Sequence, residues 1–201
     1  MFINYKDEIE ALQKRCYECK LCPLGQEKVD GFDPHVFSNG KVPSRVIFVA
    51  EAPGATETRK KIPLCGACGN YFNNEMLRVI GLERKNIYVS NAVKCRPEKN
   101  RTPTDKEITI CRPHIDAEIS LINPKLIVSL GNPALWAMCD IKAITRNRGE
   151  IHKSRKWSNG KTYDVFALYH PSYILRCRGK KDVQKDVQTD LINLKKIIGE
   201  L

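Results

Sequence analysis

Three short motifs hold the residue types of this sequence that are best suited to chemistry. Glu51 begins the motif Glu-Ala-Pro-Gly, Asn91 lies within Ser-Asn-Ala-Val-Lys-Cys-Arg-Pro, and His170 begins His-Pro-Ser. A carboxylate can hold or activate a water, an amide can read the edge of a base, and an imidazole can stabilise growing negative charge. Each residue alone is more often a solvated turn, a turn cap or a structural histidine, so the surrounding fold decides what it does.

Nine cysteines form the second group of chemically distinctive residues. Their odd number, in a chain expected to stay in a reducing compartment, argues against a disulfide framework and favours metal ligation or catalysis for some of them. Cys16 and Cys19 form a C-x2-C pair near the N-terminus. Cys95 follows a predicted strand, and Cys111 lies on a predicted helix. These four thiolates are candidates for an iron–sulfur cluster or a structural zinc site.

The spacing of the cysteines leaves rival ligand sets open. Cys16, Cys19 and Cys22 form a C-x2-C-x2-C run followed by proline, like part of a ferredoxin motif that lacks its fourth cysteine. Cys65-x2-Cys68 could instead join the first C-x2-C pair in a zinc site, although the gap between the pairs is long. Several of these residues could equally be small buried hydrophobes.

The elements that position the motifs follow from the pattern of apolar residues. Apolar, β-branched runs predict strands at residues 46–50, 86–93, 126–130 and 164–169. Helical patterns occupy residues 71–80, 104–122, 133–139 and 183–198, the second opened by the capping box Thr104-Asp-Lys-Glu107. The alternation predicts a three-layer α/β/α sandwich with a central, mostly parallel four-stranded sheet, in one domain spanning residues 1–201. The carboxyl ends of parallel strands meet at one edge, so we expect the three motifs to lie together.

The composition is that of a globular protein with a strong excess of basic charge. The 201 residues are 42% hydrophobic and 28% charged, and the formal net charge is +11. That excess points to a polyanionic partner, with nucleic acid first and an acidic membrane surface second. The basic residues concentrate in segments 142–161 and 176–185. No apolar run approaches a membrane span and the N-terminus is charged, so we expect a cytoplasmic protein without a membrane partner.

Together and in this order, the motifs resemble those of the family 4, or iron–sulfur, uracil-DNA glycosylases. The match includes Glu-Ala-Pro-Gly-x-x-Glu from Glu51, the Asn91 motif, Cys-Arg-Pro from Cys111 and His-Pro-Ser from His170. It extends from Cys16 to the C-terminal helix. The resemblance implies a parallel four-stranded α/β/α sandwich, as the apolar pattern also predicts.

The resemblance also implies a [4Fe–4S] cluster. The family's four ligands are mapped to the candidate set, which is Cys16, Cys19, Cys95 and Cys111, so that the N-terminal segment closes onto the core through the cluster. The remaining cysteines are then interpreted as structural; they are Cys22, Cys65, Cys68, Cys139 and Cys177.

The same resemblance assigns roles at the strand ends. Glu51 would position or activate the attacking water, Glu57 would support it, and His170 would stabilise charge on the departing uracil. Asn91 would hydrogen-bond the flipped base and exclude cytosine. The base would also contact the turn after the first strand, through Ala52 and Gly54, and the side chain of Leu64.

Three positions depart from the family's pattern. Ala50 stands where the family usually has glycine, which could tighten the turn before Glu51. Leu64 stands where an aromatic ring usually stacks on uracil, and Cys68 replaces a small residue. These departures bear on the selectivity of the pocket more than on its chemistry.

For DNA contact, the resemblance points to the segment after His-Pro-Ser, which enters the minor groove in the family. The residues assigned to it are Ser172, Leu175, Arg176, Arg178 and Lys180, with Leu175 or Arg176 as the wedge that replaces the flipped base. Nothing indicates a lyase lysine, so we expect a monomeric, monofunctional glycosylase that leaves an abasic site and associates with the nucleoid. Two alternatives stay open: a related glycosylase with shifted specificity, such as for hypoxanthine, and a catalytically silent, metal-containing DNA-binding protein.

Overall fold

A computed structural model describes residues 4–201; residues 1–3, which the single-domain prediction includes, lie outside the described residues. The strands are β1 (Asn39–Gly40), β2 (Val46–Ala50), β3 (Tyr88–Asn91), β4 (Leu126–Leu130), β5 (Ile151–Lys153) and β6 (Asp164–Leu168). The helices are α1 (Tyr5–Tyr17), α2 (Ala55–Lys60), α3 (Ala67–Tyr71), α4 (Leu77–Ile80), α5 (Asp105–Ile122), α6 (Asn132–Cys139), α7 (Ile144–Asn147), α8 (Pro171–Arg176) and α9 (Lys181–Glu200). A π-helical turn, Phe72–Met76, joins α3 to α4.

The sheet has six strands in the order β1-β3-β2-β4-β6-β5. The four predicted strands form its parallel centre, so the mixed α/β fold with a mostly parallel sheet is confirmed. The predicted number of four strands is wrong, because β1 and β5 add antiparallel edges to β3 and β6. Both edge strands are two or three residues long and largely exposed, so they carry no apolar run that could have predicted them.

Alternate side chains of the central strands face the two helical layers. Ile47 and Val49 of β2 pack on the side covered by α5 and α6. Phe48 and Ala50 pack on the other side, which is covered by α4 and α9. All four side chains are fully buried, and burial of an aliphatic or aromatic side chain of this size contributes about 1.5–3 kcal/mol to stability.

Three of the predicted helices begin and end close to where the sequence places them, and α6, predicted at residues 133–139, differs by one residue. Thr104 caps α5: its hydroxyl accepts from the Glu107 backbone N–H, and the Glu107 carboxylate accepts from the Thr104 N–H at 2.7 Å. The helix α9 buries one face, including Val187, Leu191 and Leu194. The predicted helix 71–80 is instead interrupted by the π-helical turn, which the apolar pattern alone does not indicate.

The parallel centre brings the carboxyl ends of β2, β3, β4 and β6 to one edge of the sheet. Ala50 pairs with Asn91, so the turn that starts at Glu51 begins beside the end of β3. The chain after β6 continues directly into His170 and α8. None of the helices within residues 4–201 combines the length and hydropathy needed to cross a membrane.

Candidate active site

A cavity of about 300 Å³ opens at the carboxyl edge of the sheet. Nine of the residues predicted from the sequence line it: Glu51, Ala52, Gly54, Glu57, Leu64, Asn91, His170, Ser172 and Arg176. The predicted DNA contacts Leu175, Arg178 and Lys180 follow in the chain and are not part of the lining. The cavity therefore brings together residues that are up to 125 positions apart, from Glu51 to Arg176.

Glu51 follows the last residue of β2 and enters the cavity as a partly buried carboxyl. Burial raises the pKa of Glu51, while a hydrogen bond from Thr102 and the charge of Arg176 act in the opposite direction. A carboxylate with a raised pKa is a better proton acceptor than a solvated one. The backbone carbonyl of Glu51 accepts a hydrogen bond from the Val93 N–H at 3.1 Å, and this bond fixes the turn after β2 against the segment after β3.

His170 caps the N-terminus of α8 with its own ring. Its Nδ1 accepts the backbone N–H of Ser172 at 3.1 Å, and the Ser172 hydroxyl lies 2.8 Å from the same nitrogen. A nitrogen that accepts a backbone N–H carries no proton, so the proton of the neutral ring lies on Nε2. Burial, together with the nearby positive charge of Arg176, lowers the pKa of His170 to about 4. The ring is therefore a neutral donor at physiological pH.

Asn91 is the last residue of β3 and is almost fully buried. Within the described part of the chain, its side-chain Nδ2 is a buried donor without a hydrogen-bond partner. An unsatisfied buried donor costs about 1–3 kcal/mol, so it favours a ligand that supplies an acceptor. Asn91 lines the cavity and can present that donor to a ligand.

Glu57 does not project freely toward the cavity, because backbone donors surround its carboxylate. Oε1 accepts the N–H groups of Cys65 and Gly66 at 3.0 and 2.8 Å. Oε2 accepts the N–H of Gly54 at 3.2 Å. The carboxylate therefore ties the turn after β2 to the loop that carries Leu64, and this contact positions two walls of the cavity.

Leu64 forms one wall of the cavity in a strained backbone conformation. Its φ is 52°, in the left-handed region that non-glycine residues rarely occupy. Gly69 packs against its carbonyl so closely that a Cβ there would lie 2.1 Å from the Leu64 oxygen. Arg84 donates to the Pro63 carbonyl at 2.8 Å and holds the preceding residue.

Five thiols gather on the side of the sheet that α5 covers. They comprise the four predicted ligands together with a cysteine interpreted as structural: Cys16, Cys19, Cys22, Cys95 and Cys111. Burial, with a smaller contribution from the thiols of Cys22 and Cys19, raises the pKa of Cys111 to about 11, while the backbone N–H and the charge of Lys94 act in the opposite direction. The backbone N–H of Lys94 donates to Cys111 Sγ at 3.3 Å. Among residues 4–201, no group of three or more His, Cys, Asp or Glu side chains is arranged to hold a metal ion.

Comparison with known proteins identifies the family of this chain. The family model described as the uracil DNA glycosylase superfamily matches residues 37–192, which include Glu51, Asn91 and His170. The chain belongs to the uracil-DNA glycosylase superfamily.

Several members of the superfamily are similar to this chain over nearly its whole length. A protein of Thermotoga maritima, named type-4 uracil-DNA glycosylase, is 36% identical over 192 residues, covering 94% of each chain. Proteins of the same name from Archaeoglobus fulgidus and Sulfurisphaera tokodaii are 32% and 35% identical, covering 97% and 84% of this chain and 94% and 76% of theirs. The family predicted from the motifs is therefore confirmed.

The cavity of this superfamily member also has a rim that the sequence analysis did not assign. Pro97, Asn100 and Arg101 belong to a loop between the Cys95 motif and α5, and they line the cavity together with Leu64. The side chain of Thr102, in the same loop, lies close enough to Glu51 to lower its pKa. The available signal was the position of this Arg-Pro-Glu-Lys-Asn-Arg-Thr-Pro run directly after β3, at the edge where the other motifs meet.

A buried ion pair between Lys94 and Glu118 lies near the thiol of Cys16. Lys94 Nζ lies 2.7 Å from Glu118 Oε1, and both side chains are at most 2% exposed. Lys94 also donates to the hydroxyls of Ser90 and Ser38, and the Ser38 hydroxyl donates to Glu118 Oε2 at 2.6 Å. These contacts join the end of β3 to the middle of α5.

The two basic segments of this superfamily member differ in how their charges are used. In segment 142–161, four of the seven basic side chains form ion pairs: Lys142 with Asp105, Arg148 with Asp186 and Asp190, Lys153 with Asp164, and Arg155 with Asp116. In segment 176–185, no basic side chain forms an ion pair with any residue that the structure describes. The second segment therefore leaves more positive charge available to a polyanion than the first.

Proposed function

We propose that this protein is a DNA-repair enzyme that removes uracil from DNA by hydrolysing its N-glycosidic bond and leaves an abasic site. The observation that carries the proposal is the convergence of Glu51, Asn91 and His170 on one cavity of about 300 Å³. Membership of the uracil-DNA glycosylase superfamily and the similarity to type-4 enzymes support the same activity.

Asn91 is the residue that would recognise the base. Uracil presents an oxygen acceptor at C4 beside an N–H donor at N3, and an amide side chain complements this pair. Cytosine presents the reverse, a donor at C4 beside an acceptor at N3. With the amide held so that Nδ2 faces the C4 substituent, Nδ2 would gain its acceptor from uracil but would meet the amine donor of cytosine, which favours uracil.

His170 would stabilise the departing base. As the bond between C1′ and N1 breaks, its electron pair moves onto uracil and negative charge grows on O2. The neutral ring of His170, which carries its proton on Nε2, can donate a hydrogen bond to that oxygen. A preorganised donor of this kind typically contributes a factor of about 10²–10³ to the rate.

Glu51 would supply the water that completes the reaction. The water oxygen forms a bond to C1′ while the Glu51 carboxylate accepts the proton. Burial raises the pKa of Glu51 and so strengthens it as a base, and the Thr102 side chain lies beside the carboxylate. Glu57 acts at a distance from the reacting atoms, through the walls of the cavity that it ties together.

The base must leave the duplex stack to reach this cavity. Arg176 lines the cavity, and Arg178 and Lys180 are exposed directly after it, so segment 176–185 is suited to hold the flanking phosphates. Ser172 and Leu175 on α8 lie beside them, with Leu175 or Arg176 as the wedge. We propose that the enzyme acts as a monomer on DNA at the nucleoid.

We also propose that four of the gathered thiols hold a [4Fe–4S] cluster and thereby close the N-terminal segment onto the core of one domain. The donor set fits, because it is composed of thiols, is largely buried and receives a backbone N–H at Cys111. A structural zinc ion is the alternative for these thiols, and it would require all of its sulfur ligands about 2.3 Å from one metal centre. The cluster, when bound, would supply a covalent link between segments that are distant in sequence.

Three ligands are common to the sets that the structure allows: Cys19, Cys95 and Cys111. The fourth is Cys16 in the set predicted from the sequence, but packing favours Cys22. Cys22 belongs to the same cluster of buried apolar side chains as Cys95 and Cys111, and Cys16 does not.

Iron content tests the cluster and its ligands. The purified protein should be brown and contain about four irons per chain. Cys95→Ser should lose both, Cys139→Ser should keep both because Cys139 lies outside the gathered thiols, and Cys22→Ser should lose more iron than Cys16→Ser. A colourless, fully active protein that contains zinc would refute the cluster, and the reverse order for the last two variants would restore Cys16 as the ligand.

A uracil-containing oligonucleotide tests the function. Incubation followed by alkali should cut the strand at uracil, and the same strand with thymine or cytosine should stay intact. A strand with hypoxanthine tests the alternative of shifted specificity. Faster cleavage of that strand than of the uracil strand would show that hypoxanthine, and not uracil, is the preferred substrate. DNA binding with no alkali-labile product from any strand would instead identify a catalytically silent binding protein.

A further inference from the structure

Arg96 is a buried arginine that the proposed reaction does not use. Its side chain is 6% exposed, and it follows the predicted ligand Cys95. Its backbone N–H donates to the Pro34 carbonyl at 3.0 Å, and Cys95 forms a β-bridge with His35. The chain at Arg96 is therefore attached to the segment 16–36, which carries the N-terminal cysteines and which we call the cysteine lobe.

The guanidinium of Arg96 contacts the cysteine lobe and the rim of the cavity at the same time. Nη1 donates to Asp30 Oδ2 at 2.6 Å, on a tight turn of the cysteine lobe, and Nε donates to Asn100 Oδ1 at 2.7 Å. A cleft of about 510 Å³ runs between the lobe and this rim, and Arg96 lines it. The arginine thus bridges two segments that a cleft partly separates.

The rim that Arg96 holds is a strained loop. Lys99 and Asn100 have φ values of 51° and 55°, and both lie in the left-handed region. The N–H groups of Asn100 and Arg101 donate to the carbonyls of Pro97 and Glu98, each at 3.1 Å. Two consecutive left-handed residues other than glycine persist only where surrounding contacts hold them, and the bond from Arg96 is one such contact.

This loop leads directly to the catalytic carboxylate. Asn100 and Arg101 line the cavity, as Glu51 does, and the Thr102 side chain lies close enough to Glu51 to lower its pKa. On the other side, Arg101 forms two hydrogen bonds to Glu107 at 2.6 and 2.9 Å, which fix the loop to the start of α5. A change in the loop at Asn100 is therefore two residues away from a neighbour of Glu51.

We propose that Arg96 is a positioning residue that couples the order of the cysteine lobe to the rim of the active site. When the lobe is held in place, Asp30 orients the Arg96 guanidinium, and Arg96 in turn holds Asn100 and the Thr102 contact to Glu51. The inference rests on the proposed function for its kinetic consequence only. The coupling itself is a property of the chain and can be measured without substrate.

Hydrogen exchange of the loop tests the coupling directly. In the iron-loaded wild type, the amides of Asn100 and Arg101 should exchange slowly, and removal of iron by a chelator should speed their exchange at least tenfold. Arg96→Gln should exchange quickly even with iron bound, and iron removal should add nothing. The exposed Arg78→Gln serves as the matched control and should behave like the wild type. Equal exchange in the wild type with and without iron would overturn the proposal, as would slow exchange in iron-loaded Arg96→Gln.

Asn100→Ala removes the other end of the contact and leaves the neighbours of the cysteines unchanged. It should also speed loop exchange while iron content stays at the wild-type level, so the proposal can be judged even if Arg96→Gln loses iron. Slow loop exchange in iron-loaded Asn100→Ala would overturn it. Asn100→Asp keeps the acceptor oxygen and should restore slow exchange.

Single-turnover rates test the consequence for catalysis. At saturating uracil-containing DNA, Arg96→Gln and Asn100→Ala should each lower the rate about tenfold with nearly unchanged DNA affinity, because misplacement of a reacting group affects the chemical step. The double variant should be no slower than either single variant, since the two residues act through one contact. Additive losses would refute that contact as the route. If the wild type releases no uracil, the proposed function fails, while the exchange experiment still decides the coupling.

Discussion

At the residue scale, the chemistry of His170 depends on one backbone hydrogen bond. The Ser172 N–H occupies Nδ1, so the neutral ring carries its proton on Nε2. We predict that His170→Ala lowers the single-turnover rate on uracil-containing DNA by about 10²–10³-fold, because it removes a preorganised donor from developing charge. DNA affinity should change little. Equal rates for the variant and the wild type would show that His170 is structural.

The same histidine makes the protein sensitive to acid. Its pKa is about 4 in the folded protein, against 6.5 for an ordinary histidine, so between these pH values the unfolded chain binds a proton that the folded one does not. The free energy of unfolding therefore carries no penalty from His170 above pH 6.5, and that penalty grows as the pH falls toward 4. His170→Asn should reduce that loss by up to about 1.4 kcal/mol per pH unit in urea unfolding. An unchanged pH dependence would contradict the buried neutral ring.

Leu64 forms a wall of the cavity where the family usually has an aromatic residue. Stacking of a base on an aromatic side chain is worth about 1–3 kcal/mol, and leucine supplies apolar contact without a flat π surface. We predict that Leu64→Phe keeps or improves uracil cleavage and that Leu64→Ala reduces it, measured as single-turnover rates. If Leu64→Phe abolished uracil removal while the wild type preferred hypoxanthine, the cavity would be built for a larger base.

At the element scale, the union of β3 with α5 rests on a buried ion pair. Lys94 and Glu118 lie between the strand that ends in Asn91 and the helix that carries Cys111, and hydroxyl groups satisfy much of their remaining hydrogen bonding. A buried pair is costly to break, because the partner left behind keeps an uncompensated charge. The intact pair therefore fixes how β3 and α5 pack against each other, although an apolar pair of similar volume could give the fold a similar free energy of unfolding.

We predict that Glu118→Ala lowers the free energy of unfolding by about 3–5 kcal/mol, because it leaves the Lys94 ammonium buried and unpaired. Replacing both residues with apolar side chains of similar volume, Lys94→Met with Glu118→Leu, should recover most of that loss. Urea unfolding of the iron-loaded proteins measures both effects. A double variant as unstable as the single one would show that the hydroxyl network, and not the charge pair, holds the elements together.

At the scale of the whole molecule, the net charge of +11 is unevenly available. In segment 142–161, most of the basic side chains form ion pairs with Asp residues of the same molecule. In segment 176–185, the basic side chains form no ion pair with the described residues, and the segment begins at the cavity. Electrostatic attraction to DNA should therefore depend mainly on the second segment.

Two triple variants compare the segments with equal loss of charge. Replacing Arg178, Lys180 and Lys181 with glutamine should weaken DNA binding and make its salt dependence shallower, by up to about 0.9 in the logarithmic slope for each lost phosphate contact. Replacing Lys142, Lys153 and Arg155, which are paired with Asp residues, with glutamine should change both much less. Equal effects from the two variants would show that general charge, and not the segment beside the cavity, governs binding.

Much of this molecule could be predicted from its sequence. Apolar β-branched runs predict strands because they signal burial on both faces, and the capping box predicts the start of α5 because its two hydrogen bonds are local. Glu51, Asn91 and His170 could be placed at one edge, since parallel strands bring their carboxyl ends together. The edge strands β1 and β5 could not, because they exist only through hydrogen bonds that β3 and β6 offer them.

What the sequence by itself determined is the set of local features: the strands, the caps, the family and the identity of the residues at the strand ends. Tertiary structure alone decided their partners. Packing allows the Glu57 carboxylate to join two walls of the cavity through hydrogen bonds, and it pairs most cations of segment 142–161 with Asp residues. Packing also brings Cys22 to Cys95 and Cys111, and it places Arg96 between the cysteine lobe and the cavity rim. The physical reason is that a hydrogen bond or ion pair between distant residues depends on where packing brings them, and no local pattern encodes that distance.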